Sequence, residues 1–271
     1  MKLIKQSFEI LEQKDFTLIG IKKFIERCGR VCYKSEDRIT EDSYEKFVNM
    51  LEKRDHARPL EFGTVHLQMY ISDFHKLRDI LCINNMWNDQ WIKYHYAGNL
   101  AYVTTNYRYY LTIIKIFPSA ENDFDPQDDE LYPKRYTVHF ITSRGIMDEF
   151  RTHVGLSHLA ESTRYCNYSK DKFDNELTFI HPCWEIRGSN YIDYLQEAED
   201  GYFRMLDNGW TPQQAREVLP LSVKSELISC GFEDAWSNFF YRRCANDAHP
   251  MAREIAIPLQ ERFKELGYDN Q

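Results

Sequence analysis

The chain has 271 residues, 43% hydrophobic and 28% charged, which suits a folded core and excludes collagen-like, coiled-coil and wholly disordered readings. A net charge of -8 argues against a long phosphate backbone as ligand, since nucleic-acid binders present basic surfaces, but leaves room for one nucleotide held by a few placed arginines. No apolar run reaches the roughly 18 residues of a membrane span, and Lys2, Lys5, Glu9, Glu12, Lys14 and Asp15 interrupt any signal-peptide core.

In chain order, residues 16–32 read as a helix, with Leu18, Ile21, Phe24, Ile25 and Cys28 at helical spacing. Residues 40–53 read as a second, with Thr40 as N-cap. A turn around Pro59 leads to an alternating strand over 63–71, and 134–142 alternates in the same way. The tract between these strands reads as irregular, and its acidic part, 121–130, as a solvated loop. Residues 145–161 read as helical. An amphipathic helix over 185–208 is closed by Gly209. Thr211, Pro212 and Gln214 then form a capping-box start, and 221–266 reads as mainly helical, broken near Pro250 and Pro258. Early strands and late helices predict an α+β fold in one domain over 1–271.

The seven cysteines form no C-x-x-C pair. No metal-ligand set is expected, and reduced thiols in a cytoplasm are the default. Ser162, Thr163 and Arg164 combine two hydroxyls with a guanidinium fork, which suits a phosphate, a sugar oxygen or a plain surface cap. His153 and His158, five apart, do not share a helical face and read equally as solvated residues or ligands. Arg242 and Arg243 follow the aromatics Phe239, Phe240 and Tyr241. Either one arginine turns inward and needs an anionic partner, or both lie on the surface. The sequence contains no G-x-S-x-G, P-loop, Rossmann glycine fingerprint or H-E-x-x-H.

Several segments together resemble the flavin-dependent thymidylate synthases. That family's signature runs Arg-His-Arg, seven residues, then Ser, continuing to Arg-Tyr; here Thr152-His153-Val154 is followed, after the same interval, by Ser162-Thr163-Arg164-Tyr165. Residues 102–108 and 161–170 look like a subgroup of the family. His56-Ala57-Arg58-Pro59-Leu60-Glu61 resembles its His-x-x-Pro-x-Glu turn. Ala215 to Pro220 matches its Ala-Arg-x-x-Leu-Pro helix, and 238–249 resembles the segment ending in its catalytic arginine.

The resemblance implies a mixed sheet with flanking helices and a homotetramer with shared active sites. It implies transfer of a one-carbon unit from methylenetetrahydrofolate to C5 of dUMP, giving dTMP, with FAD reduced by NADPH supplying the hydride. No cysteine nucleophile, nucleic-acid polymer or membrane is involved. By the same resemblance, Arg243 would be catalytic, stabilising negative charge on the uracil. Arg164 and Arg216 would hold the phosphate, Ser162 and Thr163 would line the nucleotide, and Glu149 would contact it. His153 and Asn238 would touch the flavin, and His56 would lie on the folate side. Thr152 and Val154 replace both flavin-contacting arginines, and Ala160 replaces a polar residue. Weakened FAD binding is therefore expected; should FAD instead bind stoichiometrically, Arg144, Arg151 or a side chain of another chain would have to supply the lost charge. The alternatives are a divergent enzyme modifying C5 of another pyrimidine nucleotide, or a nucleotide-binding homologue with lost flavin chemistry.

Overall fold

The computed structural model describes residues 1–162, 168–169 and 175–268. In chain order the elements are β1 (Lys2–Ile4), β2 (Ser7–Leu11), α1 (Leu18–Tyr33), α2 (Ser43–Lys53), β3 (Thr64–Tyr70), α3 (Ile71–Ile83), β4 (Ile92–Ala97), β5 (Leu100–Asn106), α4 (Tyr107–Ile116) and β6 (Phe124–Asp125). There follow β7 (Arg135–Ser143), α5 (Arg144–Phe150), β8 (Ser157–Ala160), β9 (Thr178–Ile180), α6 (Tyr191–Asp207), α7 (Pro212–Ala215), β10 (Lys224–Phe232), α8 (Glu233–Arg243) and α9 (Pro250–Glu265). The fold is α+β. Among the described residues, one four-stranded sheet runs β2-β7-β10-β8 and another β4-β5-β3-β6. Both are antiparallel, and β1 pairs with β9 in parallel.

The helix α1 joins the two sheets because it is apolar on two sides. Thr17 caps it by accepting from the Gly20 N–H. Ile21 and Ile25 pack with Val65 and Leu67 of the second sheet and with Leu51 of α2. Phe24, Cys28 and Val31 pack with Leu159, Ile228 and Cys230 of the first. Gly63 lets the backbone pass close beneath: an added Cβ there would lie 2.7 Å from the Ile21 side chain. On the other face of the first sheet, Phe150 of α5 and Trp236, Phe239 and Phe240 of α8 bury against Val138, Phe140 and Leu227. Each such side chain contributes about 1.5–3 kcal/mol by leaving water. Among the described residues no helix is long and apolar enough to cross a membrane.

Several expectations need correction. The reading of 145–161 as helical fails after Phe150. Gly155 adopts φ 97°, which ends helical continuation, and 157–160 becomes β8 on the edge of the first sheet. The start of the segment 221–266 is not helical. It contains β10, the sheet's inner strand, which pairs with β7 from Lys224↔Ser143 to Phe232↔Arg135. Both faces of β10 are covered, so no apolar–polar alternation marks it. The tract between the two recognised strands is not irregular, since it folds as α3, β4, β5 and α4. Part of the acidic segment pairs, as β6, with His66 and Leu67 of β3. Helix α2 begins at Ser43 rather than at a Thr40 cap, because the Ser43 hydroxyl accepts from the Thr40 N–H and bonds to buried Glu26. Pro258 lies inside α9 without ending it.

Candidate active site

Arg243 is the last residue of α8. One helical turn earlier, Phe239 and Phe240 are buried, and this carries the guanidinium inward at the helix end. Arg243 is thus the inward arginine, and its anionic partner is Glu149 of α5. NH1 donates to Glu149 Oε2 at 2.6 Å and NH2 to the Glu149 carbonyl at 2.7 Å. NH2 also lies 3.4 Å from Thr152 Oγ1, and Nε donates to His153 Nε2 at 2.8 Å. That last bond makes Nε2 an acceptor, so the proton of the neutral ring sits on Nδ1. His153 is 4% exposed, and burial, with the Arg243 charge, holds its pKa down at about 4. The His153 Nδ1 atom is buried and has no hydrogen-bond partner among the described residues. His153 is therefore not a solvated surface histidine.

A cleft of about 520 Å³, whose lining does not include Arg243, Glu149 or His153, is lined among others by Cys32, His56, Arg58, Arg108, His158 and Ser162. His158 connects the two. Its Nε2 lies 3.2 Å from the His153 carbonyl and its Nδ1 2.9 Å from Ser229 Oγ, and burial foremost pushes its pKa to about 4. In the cleft wall Glu61, 1% exposed, accepts from Arg108 at 2.6 Å, Arg58 at 3.3 Å and Ser157 Oγ at 2.5 Å. Burial pushes the Cys32 thiol up to about 12, so it stays protonated and is no nucleophile at neutral pH.

Ser162 follows β8, on which His158 and Ala160 face the cleft. The intervening Glu161 points away into a buried ionic network. It pairs with Lys224 at 3.0 Å and Lys34 at 3.8 Å. Lys34 and Lys224 also pair with Glu226, which bonds His139 at 2.9 Å. Burial opposes the charged forms of Lys224 and Glu226, but their partners outweigh it. The Lys224 pKa is raised and that of Glu226 lowered. Four elements or their ends (α1, β7, β8 and β10) meet in this network at the base of the cleft.

Of the residues named from sequence, Glu149, His153 and Arg243 come together, and His56 and Ser162 share the cleft. His56 Nδ1 lies 3.2 Å from the Tyr33 hydroxyl. Asn238 is exposed on α8 beside Arg242. Arg216, past the end of α7, is not brought to the cleft; its Nε lies 3.4 Å from Glu217. Thr163 and Arg164 lie outside the described residues. Thr152 and Val154 are exposed. Arg144 and Arg151, the proposed stand-ins, both donate to one carboxylate, Asp148, at 3.1 and 3.2 Å. Sequence reasoning missed the roles of Arg58, Glu61 and Arg108, although all three lie in segments that carried the resemblance.

Residues 134–266 match the family described as thymidylate synthase complementing protein, Thy1. This segment is a Thy1-family domain. It contains Glu149, His153, Ser162, Arg216, Asn238 and Arg243, whereas His56, Arg58, Glu61 and Arg108 precede it. The flavin-dependent thymidylate synthase of Geobacter sulfurreducens is 25% identical over 117 residues, 43% of this chain and 50% of that protein. The chain thus spans about half the length of this curated relative. A solved structure of the UMP/dUMP methylase PolB from Streptomyces cacaoi, bound with 5-Br dUMP, is 15% identical, with a TM-score of 0.45 over 98% of this chain and 93% of that one.

Proposed function

We infer that this Thy1 protein is an enzyme that adds a one-carbon unit to C5 of a pyrimidine nucleotide, with dUMP as substrate, methylenetetrahydrofolate as donor and dTMP as product. The observation that carries this reading is the Arg243–Glu149–His153 cluster, linked through His158 to the cleft that holds Ser162. An arginine has five N–H donors. Four on Arg243 meet protein acceptors, leaving one on NH1 for a uracil oxygen. A fixed guanidinium there stabilises negative charge spreading over N3 and O2, which makes C5 nucleophilic. Glu149 and His153 hold the fork before substrate arrives.

FAD, reduced by NADPH, would supply the hydride. The buried, unpartnered Nδ1–H of His153 fits an acceptor on a flavin ring, and exposed Asn238 would add a second polar contact. Thr152 and Val154 bring no charge to a diphosphate, which supports weakened binding. His56 would lie on the folate side of the cleft, with Thr163 and Arg164 joining Ser162 at the nucleotide. Val154 and Tyr241, 73% and 80% exposed near the cluster, support a homotetramer in which a second copy completes the site. The reading places the enzyme in the cytoplasm.

Calorimetric titration with dUMP, followed by product analysis with dUMP, UMP and dCMP, tests the reading. Micromolar dUMP binding and methylated product are expected, whereas no heat at millimolar dUMP would overturn it. Thr152 and Val154 favour a second reading, a nucleotide-binding homologue without flavin chemistry. Unchanged flavin absorbance on adding FAD, together with dUMP binding, would select it. Light scattering at the mass of one chain would remove the tetramer.

A further inference from the structure

We propose that Arg58 and Arg108 form a seat for a diphosphate ester in the cleft, supplying the positive charge that positions 152 and 154 lack. The choice of FAD as the natural ligand rests on the flavin part of the reading above; the anion seat itself does not.

Glu61 organises the seat. Its carboxylate is buried in the cleft wall and accepts on Oε1 from Arg108 NH1 and on Oε2 from Arg58 NH1 and Ser157 Oγ. Two guanidiniums on the two oxygens of one carboxylate stand within the span of a diphosphate. Arg108 is further fixed by lying over the Trp91 ring, 5.7 Å from its centroid. Both side chains remain open, Arg58 at 61% and Arg108 at 43% exposure, and both line the cleft. Each gives one N–H to Glu61, and among the described residues the other donors of the fork face no protein acceptor.

The seat lies close to the signature segment. Ser157, which bonds Glu61, precedes His158, whose Nε2 reaches the His153 carbonyl. Arg58 and Arg108 are thus linked through Glu61, Ser157 and His158 to the backbone of the signature segment at His153. Arg144 and Arg151 instead share Asp148. Asp55 also lines the cleft; it is exposed, where water screens its charge.

The test uses the full chain and two readouts that do not need turnover: flavin fluorescence on titration with FAD, and calorimetry with inorganic pyrophosphate and with dUMP. Arg58→Gln and Arg108→Gln should each raise the Kd for FAD and for pyrophosphate about ten- to hundredfold, the weight of one charge-assisted hydrogen bond, and leave dUMP affinity unchanged. Arg58 is well exposed, so its variant should melt with the native protein; this makes it the deciding substitution if Arg108→Gln loosens Glu61. Unchanged FAD and pyrophosphate affinities in Arg58→Gln would overturn the seat. Weakened dUMP with unchanged FAD would move the seat to the nucleotide phosphate and overturn the diphosphate assignment. A native protein that binds pyrophosphate but not FAD would keep the seat and overturn the flavin reading, and one that binds neither would overturn both.

Discussion

The two arginine sites flanking His153 are built in opposite ways. Arg243 is nearly enclosed and gives four of its donors to Glu149, Thr152 and His153. Arg58 and Arg108 each give one donor to Glu61 and keep the rest open to the cleft. A guanidinium with almost every donor used is rigid and can stabilise charge only at one point, which suits a transition state. A tethered guanidinium with spare donors suits a ligand's phosphate. The comparison teaches that the count of remaining donors, rather than the presence of an arginine, sets what a guanidinium can still do for a ligand.

The contrast between committed and open charge is sharpest in the network below the cleft. Glu161→Gln would remove one of the buried carboxylates that hold Lys34 and Lys224, and breaking such a buried arrangement costs roughly 3–5 kcal/mol. Arg58→Gln removes an exposed guanidinium while Arg108 and Ser157 still hold buried Glu61, and should cost less than about 1 kcal/mol. Urea unfolding of the two variants measures the gap, and equal midpoints would break the distinction.

At Arg243 the expected loss is in turnover. Arg243→Lys keeps a charge but not the fork, and kcat/KM for dUMP should fall about 10²- to 10³-fold. Initial rates check this, and a loss confined to KM would make Arg243 a binding residue like Arg58.

Acid should act on the enclosed side. His153 and His158 have folded pKa values of about 4 against an ordinary 6.5. Between those values the unfolded chain binds more protons, so their contribution to stability is full above pH 6.5 and is lost as pH falls to about 4. After solvent screening, each ring contributes on the order of 1 kcal/mol of this loss by pH 5. Urea midpoints at pH 7 and 5 measure it, and His153→Gln should flatten the dependence.

The smallest effect belongs to the signature positions. Thr152→Arg with Val154→Arg should strengthen FAD by about tenfold or less if the proposed seat at Arg58 and Arg108 already serves the diphosphate. Flavin fluorescence titration reads the change. A gain above about a thousandfold, the weight of two full charge-assisted hydrogen bonds, would mean that those arginines do not serve the diphosphate.

Local pattern made much of this protein legible. The two-sided apolar spacing of α1, the alternation of β3 and β7, and the capping box before α7, whose Thr211 and Gln214 bond as expected, all follow from short-range rules. The motif interval singled out His153 and Ser162, and the aromatics before Arg243 left open an inward or a surface arginine, which the packing of α8 decided. The central strand β10 stayed hidden because its polar residues are buried by distant partners. Ser225 meets Met147, Glu226 meets the lysines and His139, and Ser229 meets His158. Such a strand matches neither a helix nor a half-buried strand.

The sequence by itself determined the helix and strand starts that depend on neighbours a few residues away, the α+β character and the family of the 134–266 segment. Only the tertiary structure decided which charges are committed and which are open. Glu61, Arg108 and Ser157 are far apart in the chain, and so are Glu149 and Arg243. Whether a guanidinium keeps free donors depends on which carboxylate the packing of α1 between two sheets brings beside it, and chain spacing carries no information about that distance.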